Sequence, residues 1–410
     1  MKTNTERLFL HLLELGKVGE KENGGITRLS FTEEEKQAKE LVKAYMKEAG
    51  LLVREDSVGN LIGRKEGTNA NAPVILIGSH LDSVPDGGKF DGSLGVLAGI
   101  EVLHSLMEQK IKTTHPIEVI AFKDEEGARF GCGMIGSRAI TGKLGLELLK
   151  QVDASGISMA EAMKETGLDI AEIVDLARNP ECVKAYIELH IEQGKVLEDH
   201  HLPIGIVSGI AGPVWMNFTL IGEAGHAGAT PMNVRRDPIV AGAKIITYIN
   251  NRTKRYPDAV ATIGQINILP NAINVIPSQM EFSLDLRDVH EATRDKIEIL
   301  IRSYAEKICD RHGIKLDINI LQRVSPSLCN SEICNIIEEG CKEAGEEPFY
   351  LVSGAGHDGM QFKDFCPVGM IFVRSRNGIS HRADEWSSQE DCGAGTEVLY
   401  NTILKLDKYT

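Results

Sequence analysis

Five residues that can ligate a divalent cation follow short apolar segments of the chain or lie in the loops next to them. They are His80, Asp91, Glu126, His190 and His381. Imidazole and carboxylate groups are ligands that zinc, manganese, cobalt and nickel accept in proteins. Side chains that follow parallel strands meet at one edge of an open α/β sheet, where ligands bind. The pattern therefore predicts a metal centre assembled from four strand ends and one loop.

The ligand types allow two ions to be held side by side. His80 and His190 with one oxygen of Asp91 would form the first ligand group, and Glu126 and His381 with the other oxygen would form the second. Three protein ligands leave a position for water, as in catalytic rather than structural zinc sites. Two ions about 3.5–4 Å apart can share a hydroxide and polarise a carbonyl group. The predicted cofactors are two divalent ions of zinc, manganese, cobalt or nickel.

Two parts of this set also have a purely structural explanation. Asp91 precedes a predicted helix, where a carboxylate often caps the first turn. The acidic run 124–126 could be a solvated loop, although dense negative charge at a strand end is tolerable when cations neutralise it. Glu125 and Glu126 are adjacent and point in different directions, so one can bind metal while the other transfers a proton.

Asp82 lies two residues after His80. A carboxylate in this position can accept the second N–H group of a metal-bound imidazole and fix its tautomer. The sequence therefore predicts a contact between the Asp82 carboxylate and the His80 ring, although a single His-x-Asp pair is more often structural.

Alternating strands and helices are predicted to position these residues. A helix at 33–49 follows the possible caps Ser30 and Thr32, and a second helix covers 94–107. Short apolar runs, too short for helices, predict strands at 74–78, 117–122, 185–190 and 370–374. This alternation indicates an α/β fold with a mixed, parallel-rich sheet.

The middle of the chain has a different order of elements. Strands are predicted at 214–222, 261–268, 281–288 and 315–321, with helices at 238–254 and 291–312. A β-α-β-β-α-β order is typical of a small antiparallel sheet that carries two helices. We expect a metal-binding domain at 1–210 and 325–410, interrupted by an inserted domain at 211–324.

Composition excludes several classes of partner. The net charge is −14, and basic residues do not cluster, which argues against binding to nucleic acid or an anionic membrane. No apolar run approaches the roughly 20 residues that span a bilayer. The eight cysteines are scattered without a Cys-x-x-Cys pair, which favours free thiols and a cytoplasmic location.

A glycine-rich segment at 131–136 has the spacing of a dinucleotide-binding fingerprint. That fingerprint requires a strand immediately before it. Eight residues, 123–130, separate the segment from the predicted strand at 117–122, so nucleotide binding is not favoured.

The motifs around these residues resemble those of the M20 metallopeptidase clan, and specifically its amidase/carbamoylase branch, over nearly the whole chain. That branch contains N-carbamoyl-L-amino-acid hydrolases, allantoate amidohydrolases and β-ureidopropionases. The matching motifs are Gly-Ser-His80-Leu-Asp82-Ser-Val, Gly-Lys-Phe-Asp91-Gly, Asp-Glu125-Glu126-Gly-Ala-Arg-Phe, Glu-Leu-His190-Ile-Glu-Gln193-Gly, Gly225-His226-Ala-Gly-Ala-Thr-Pro, Arg235-Arg236-Asp237-Pro and Ser-Gly-Ala-Gly-His357-Asp358.

The resemblance implies roles that the residues alone do not. It implies that Glu125 is the general base, that a cis peptide bond follows Asp91, and that helices cover both faces of a sheet of the dinuclear-metal exopeptidase type. It also implies that the inserted domain is an α+β, ferredoxin-like lid through which a homodimer forms. His190 fits the amidase branch, since many peptidases of the clan carry a carboxylate there. The substrate contacts carried over by motif are Gln193, His226, Asn274, Arg287 and His357.

The resemblance further implies a small ureido substrate with a free carboxylate. We expect hydrolysis of an N-carbamoyl-L-amino acid to the amino acid, CO2 and NH3, with Arg287 binding the carboxylate. An ion pair between Arg287 and Asp285 or Asp288 is the structural alternative. Residues 269–274 do not separate the carbamoylase pattern from the allantoate pattern. An exopeptidase and a non-catalytic metal-dependent binding protein remain alternatives, and the latter would have no use for Glu125 as a base.

Overall fold

The computed structural model describes residues 2–409, apart from the side chains of Glu172, Val174 and Asp175. The chain forms two compact units. Unit 1 consists of Met1–Ser208, Leu328–Leu351 and His357–Thr410, and unit 2 consists of Gly209–Ser327 and Val352–Gly356. The assignment of 1–210 and 325–410 to metal binding, and of 211–324 to a lid, stays a prediction.

Strands, α-helices and short 3₁₀ helices make up the regular structure of the chain. The strands are β1 (Leu52–Glu55), β2 (Leu61–Lys65), β3 (Val74–His80), β4 (Ile117–Phe122), β5 (Val183–Ile191), β6 (Ile204–Ile210), β7 (Gly212–Ile221), β8 (Gly225–His226), β9 (Val260–Thr262), β10 (Ile266–Leu269), β11 (Val275–Ile276), β12 (Gln279–Asp288), β13 (Lys315–Arg323), β14 (Ser327–Leu328), β15 (Tyr350–Ser353) and β16 (Val368–Val373). The α-helices are α1 (Thr5–Leu15), α2 (Glu33–Glu48), α3 (Ser93–Glu108), α4 (Ile135–Ile140), α5 (Met159–Glu165), α6 (Val196–Asp199), α7 (Pro238–Thr253), α8 (Glu291–His312), α9 (Ser331–Ala344) and α10 (Gln389–Lys408). The 3₁₀ helices cover Leu146–Lys150, Ile170–Asp175, Pro180–Cys182, Met232–Val234, Asp358–Phe362 and Arg376–Gly378.

The large sheet has the strand order β1-β2-β4-β3-β5-β16-β6-β14, with β15 paired to β6. Its centre is parallel, because β3 runs parallel to β4 and β5, and β5 runs parallel to β16. Antiparallel strands β2 and β6 flank this centre. The mixed, parallel-rich α/β sheet predicted from the sequence is therefore confirmed.

Both faces of the large sheet are covered, which explains why its central strands are apolar without alternation. In β3, Ile75 and Ile77 pack into a core with side chains from α1, α2, α3, α9 and α10. Leu76 points to the opposite face and packs with Ile140 of α4 and Phe362 of a 3₁₀ helix. All three β3 side chains are fully buried. Long helices thus cover one face, and shorter helical segments cover the other.

Unit 2 contains an antiparallel sheet with the order β10-β12-β7-β13, in which β9 also pairs with β12. Counted along the chain, the order is second, third, first, fourth, as in a ferredoxin-like arrangement. The strand predicted at 261–268 is divided into β9 and β10. Helices α7 and α8 share the core of unit 2 with the inward side chains of β7 and β12, such as Phe218 and Leu284. None of the helices described in residues 2–409 is long and apolar enough to cross a membrane.

Candidate metal centre

The five predicted ligands lie close together in unit 1. His80 is the last residue of β3 and His190 lies near the end of β5, while Glu126 and His381 follow β4 and β16. These four strands are neighbours in the parallel part of the sheet, so their carboxyl ends share one edge. Asp91 lies between the imidazoles. Its Oδ1 is 3.1 Å from His190 Nε2, and its Oδ2 is 3.0 Å from His381 Nε2.

Among the described residues, four groups of three could each hold an ion; two of them contain Asp91, and a further one consists of His80, Glu125 and Glu126. The first group with Asp91 is His80, Asp91 and His190, and the second is Asp91, Glu126 and His381; in each group the donor atoms lie within 4.8 Å of one another. The two oxygens of Asp91 face different groups, as the sequence predicts. The buried Nε2 of His190 has no hydrogen-bond partner. An orphaned imidazole nitrogen beside carboxylate oxygens fits a bound divalent cation.

Backbone carbonyl groups orient the two buried imidazoles. Nδ1 of His80 lies 3.0 Å from the carbonyl oxygen of Asp82, and Nδ1 of His190 lies 3.0 Å from that of Ile191. A carbonyl oxygen can only accept, so each Nδ1 carries the hydrogen. Each Nε2 therefore presents a lone pair to the centre, which is the tautomer a metal ligand requires.

The predicted role of the Asp82 carboxylate, to accept the N–H group of the His80 ring and fix its tautomer, is wrong. Oδ1 of Asp82 is 3.7 Å from His80 Nδ1, beyond hydrogen-bond distance. The carboxylate instead accepts from the backbone N–H groups of Glu125 (3.2 Å) and Glu126 (3.0 Å). The carboxylate of Asp82 is used by two consecutive backbone donors of the acidic turn. The His80 ring donates to the backbone carbonyl of Asp82 instead. Asp82 therefore fixes the turn that carries the two glutamates.

The glycine-rich segment supports the same acidic turn. The backbone N–H groups of Met134, Ile135 and Gly136 donate to the carbonyl oxygens of residues 123–125 at 2.8 to 3.2 Å. A Cβ atom at Gly133 would lie 2.0 Å from the carbonyl oxygen of residue 125. The glycines thus allow close packing against the turn. The N–H groups of Met134, Ile135 and Gly136 are thus already used by the turn and are not free for a phosphate, which agrees with the sequence-based argument against nucleotide binding.

Asp91 does not cap the helix that follows it. The N-cap of α3 is Gly92, with no side-chain capping bond, so the capping explanation for Asp91 is excluded. The cis peptide bond expected after Asp91 is also wrong, because the cis bond within residues 2–409 is Leu269–Pro270. The chain turns at Gly92 through a positive φ of 64° instead. A Cβ atom there would lie 2.4 Å from the His80 ring.

Negative charge is concentrated in this buried region. Burial raises the pKa of Glu125 well above its usual value, and the charge of Glu126 adds to the effect. Burial, reinforced by Asp91, raises the pKa of Glu126 to about 8. Burial also opposes ionisation of Asp91, but His190 and His381 hold its pKa well below the usual value. Divalent cations would relieve the repulsion among these carboxylates, which further supports the fit of metal ions.

Two of the expected substrate contacts lie at the centre. Nε2 of Gln193 donates to both Asp91 oxygens at 3.2 Å, from a backbone with a φ of 58°. The centroid of the buried His357 ring lies 4.5 Å from the centroid of the His190 ring. His357 also forms a possible ligand group with Glu188 and His190. This group shares His190 with the group of His80, Asp91 and His190.

The other three expected contacts belong to unit 2. His226 and Asn274 are exposed neighbours, since β8 pairs with β11 and the N–H group of Ala227 donates to the Asn274 carbonyl at 3.0 Å. Arg287 lies on the outward face of β12, as strand alternation predicts. Its Nε and Nη2 donate to Asp285, so the ion pair considered as an alternative is present.

Sequence reasoning missed two buried charged residues beside the ligand-bearing loops. Arg28 is 1% exposed, and it donates from Nε to the Leu81 carbonyl and from Nη2 to the Ser93 hydroxyl. It thereby connects the loop after His80 with the start of α3. Glu385, 3% exposed, accepts hydrogen bonds from the loop that carries Asp91. Residue spacing along the chain gives no signal for either contact.

Comparison with known proteins shows the family of this chain. A model of peptidase family M20/M25/M40 matches residues 76–405. The chain is 55% identical over 401 residues to the N-carbamoyl-L-amino acid amidohydrolase of Geobacillus stearothermophilus, with 98% of each chain covered. It is 36% identical over 429 residues to allantoate deiminase 2 of Glycine max, covering 96% of this chain and 88% of that protein.

Solved structures agree as well. An amidase of the hydantoinase/carbamoylase family from Burkholderia multivorans superposes with a TM-score of 0.94 at 33% identity, covering 99% of this chain and 98% of that one. These relatives match nearly the whole chain, and the positions of all five predicted ligands lie within the segment 76–405 that the family model matches. With its metal-ligand groups, its fold and its relatives in agreement, this chain belongs to peptidase family M20/M25/M40.

Proposed function

We propose that this protein is a metal-dependent amidohydrolase that cleaves the N-carbamoyl group of an N-carbamoyl-L-amino acid to give the amino acid, CO2 and NH3. The observation that carries the reaction type is the pair of ligand groups that share Asp91 and have a further carboxylate, Glu125, beside them. The substrate class follows from the G. stearothermophilus relative, whose name states this activity. Hydrolysis of allantoate is the second candidate, because allantoate deiminase 2 of G. max is also similar over nearly the whole chain.

His80, Asp91, Glu126, His190 and His381 would hold two divalent ions of zinc, manganese, cobalt or nickel. Such ions, when bound, polarise a substrate carbonyl and lower the pKa of water.

Glu125 is the proposed general base. It forms a possible ligand group with His80 and Glu126, its Oε2 lying 3.9 Å from His80 Nε2, but it belongs to neither of the two groups that contain Asp91 and that together use all five proposed ligands. A carboxylate that is not needed as a ligand can accept a proton from the attacking water and return it to the leaving nitrogen. Burial raises the pKa of Glu125 well above its usual value, which makes its carboxylate a stronger proton acceptor than an exposed one. Asp82 positions this residue through the Glu125 backbone N–H group.

His226 is proposed to stabilise the oxyanion that develops on the substrate. Its Nδ1 accepts from the backbone N–H groups of Gly228 and Ala229, both at 3.1 Å. An accepting Nδ1 carries no hydrogen, so Nε2 is the donor of the neutral, exposed ring. That tautomer suits donation to a developing negative charge. By family resemblance, His226 acts in the active site of the partner in a homodimer that forms through the lid at 211–324.

Arg287 and Asn274 are proposed to bind the free carboxylate of the substrate, with Gln193 and His357 contacting the substrate at the metal centre. A guanidinium matches a carboxylate in planarity and spacing. Arg287 Nη1 donates to the Gly354 carbonyl at 2.6 Å, and Nε and Nη2 donate to Asp285. These bonds use three of its five N–H groups, so one N–H on each Nη atom can serve a substrate.

The substrate is tested with purified, metal-verified enzyme. We expect the highest kcat/KM for an N-carbamoyl-L-amino acid, with the amino acid and ammonia released in equal amounts, and little turnover of the D-enantiomer. Glu125→Gln is the matched inactive control, since it changes one group and keeps the size of the side chain. Preferred turnover of allantoate would establish the second candidate, and preferred cleavage of a dipeptide would indicate an exopeptidase. Tight binding of the ureido acid without turnover would indicate a binding protein.

A further inference from the structure

A buried carboxylate outside the ligand set connects two of the ligand-bearing segments. Oε1 of Glu385 accepts from the backbone N–H groups of Phe90 and Asp91, both at 3.0 Å. Oε2 accepts from the Ser380 hydroxyl at 2.8 Å. Ser380 directly precedes His381. One side chain therefore holds the loop that carries Asp91 and the segment that carries His381, which lie about 290 residues apart in the sequence.

The loop before Asp91 is shaped to fit this carboxylate. A Cβ atom at Gly88 would lie 2.0 Å from both Cδ and Oε1 of Glu385, so no larger residue fits there without displacing the glutamate. The Phe90 ring also packs edge-on against Trp386 at 5.2 Å between centroids. Two consecutive residues, Glu385 and Trp386, thus contact the same loop by independent interactions.

The hydrogen bonds that Glu385 accepts fix the orientation of the metal ligands Asp91 and His381. A bond to the backbone N–H group of Asp91 fixes the plane of its peptide group, and with it the direction in which the side chain leaves the backbone. The bond from the Ser380 hydroxyl fixes the residue before His381. The backbone of His381 has a positive φ of 57°, a strained conformation that the surrounding structure must hold in place. A buried carboxylate is costly unless it is fully hydrogen-bonded. Its partners here are two backbone N–H groups and a hydroxyl, all in ligand-bearing segments.

We infer that Glu385 is a positioning residue for the ion held by Asp91, Glu126 and His381. It sets the distance between Asp91 Oδ2 and His381 Nε2, which is 3.0 Å in this structure. Loss of Glu385 weakens binding of this ion about 10–100-fold, the usual effect of removing a partner that orients a metal ligand. The ion held by His80, Asp91 and His190 is affected less, because Glu385 holds the segment of only one of its ligands, Asp91, whereas it holds the segments of both Asp91 and His381 at the other ion. The inference rests on the proposed metal centre.

Metal content measured by elemental analysis after dialysis against a limiting chelator tests it. We expect two ions in the native protein and one in Glu385→Ala. Gly88→Ala, which displaces the glutamate without removing it, should also retain one. Glu385→Gln keeps an oxygen for the two N–H groups and should retain both ions. Glu397→Ala is the control, since Glu397 is 6% exposed and accepts from the backbone N–H groups of Lys2 and Thr3. It should retain both ions.

The outcomes separate this inference from the proposed function. Two ions in Glu385→Ala and in Gly88→Ala would overturn the inference and leave the metal centre intact. Equal metal loss in Glu397→Ala would overturn it as well, because any buried carboxylate would then have the same effect. Loss in Glu385→Gln equal to that in Glu385→Ala would show that charge, and not position, is required. Fewer than two ions in the native protein would overturn the metal centre itself.

Discussion

Replacement of Gly92 by alanine should displace a metal ligand while leaving the fold intact. Gly92 has a φ of 64°, which costs an alanine on the order of 1–2 kcal/mol. The added Cβ atom would lie 2.4 Å from Cε1 and Nε2 of His80, whereas ordinary contact begins at 3.4 Å. The ring must therefore withdraw by about 1 Å, and an error of that size costs on the order of 10²-fold in rate. We expect Gly92→Ala to lower kcat/KM at least ~10²-fold and to weaken binding of the ion at His80.

Gly24→Ala is the matched control for this change. Gly24 also has a positive φ, of 82°, but nothing lies within 4 Å of the position of its Cβ atom. The control should therefore lose about 1 kcal/mol of stability and retain native kcat/KM. Both variants are compared by steady-state kinetics, elemental analysis and thermal unfolding. If Gly92→Ala were as active as Gly24→Ala, the argument that the His80 ring requires a glycine at position 92 would be refuted.

Further predictions concern the roles of single groups. Glu125→Gln should keep both ions and lower kcat at least ~10²-fold, whereas Glu126→Gln should lose one ion; elemental analysis decides, and metal loss in the Glu125 variant would exchange the two roles. Mixing inactive His226→Ala and Glu125→Gln subunits should restore part of the activity, and hybrids no better than their parents would contradict action across a dimer. Arg287→Lys should lower kcat/KM by one to a few orders of magnitude, at about 1.4 kcal/mol per factor of ten, without loss of metal. Equal turnover of the acid substrate and its amide by native enzyme would instead leave the Asp285 ion pair as the role of this arginine. The metal-free protein should become less stable between about pH 5 and pH 8. Because burial raises the pKa of Glu126 to about 8, the folded state binds its proton more tightly than the unfolded chain, and this stabilisation is lost as the pH rises. Thermal unfolding of chelated protein across this range checks the sign, and a rising Tm would contradict it.

The ligand set and the order of the elements could be predicted from the sequence because both depend on local patterns. The length and composition of a short apolar run such as 117–122 predict a buried strand. Strand β4 has these bounds. Helix α8 also has the predicted bounds, since its periodicity continues until Gly313 adopts a left-handed conformation. The sequence predicts a continuous strand at 261–268, but the strand is divided in two, at positions that periodicity does not mark.

The hydrogen-bond partners of the ligands could not be predicted. Local spacing assigns Asp82 to the ring two residues away, whereas its carboxylate accepts from backbone groups 43 and 44 residues later in the chain. Arg28 reaches a carbonyl group 53 residues away, and Glu385 reaches an N–H group 294 residues away. Such contacts depend on which loops meet at the sheet edge.

The sequence by itself determined which residues can bind metal, and that parallel strands bring them to one edge, because residue type and apolar periodicity are local properties. Only the tertiary structure decided how those residues are oriented. The two oxygens of Asp91 face different imidazoles, and carbonyl groups, not a carboxylate, set the tautomers of His80 and His190. A hydrogen bond requires its two atoms to come within about 3 Å at a suitable angle. That condition is met only when segments distant in the chain have packed against each other.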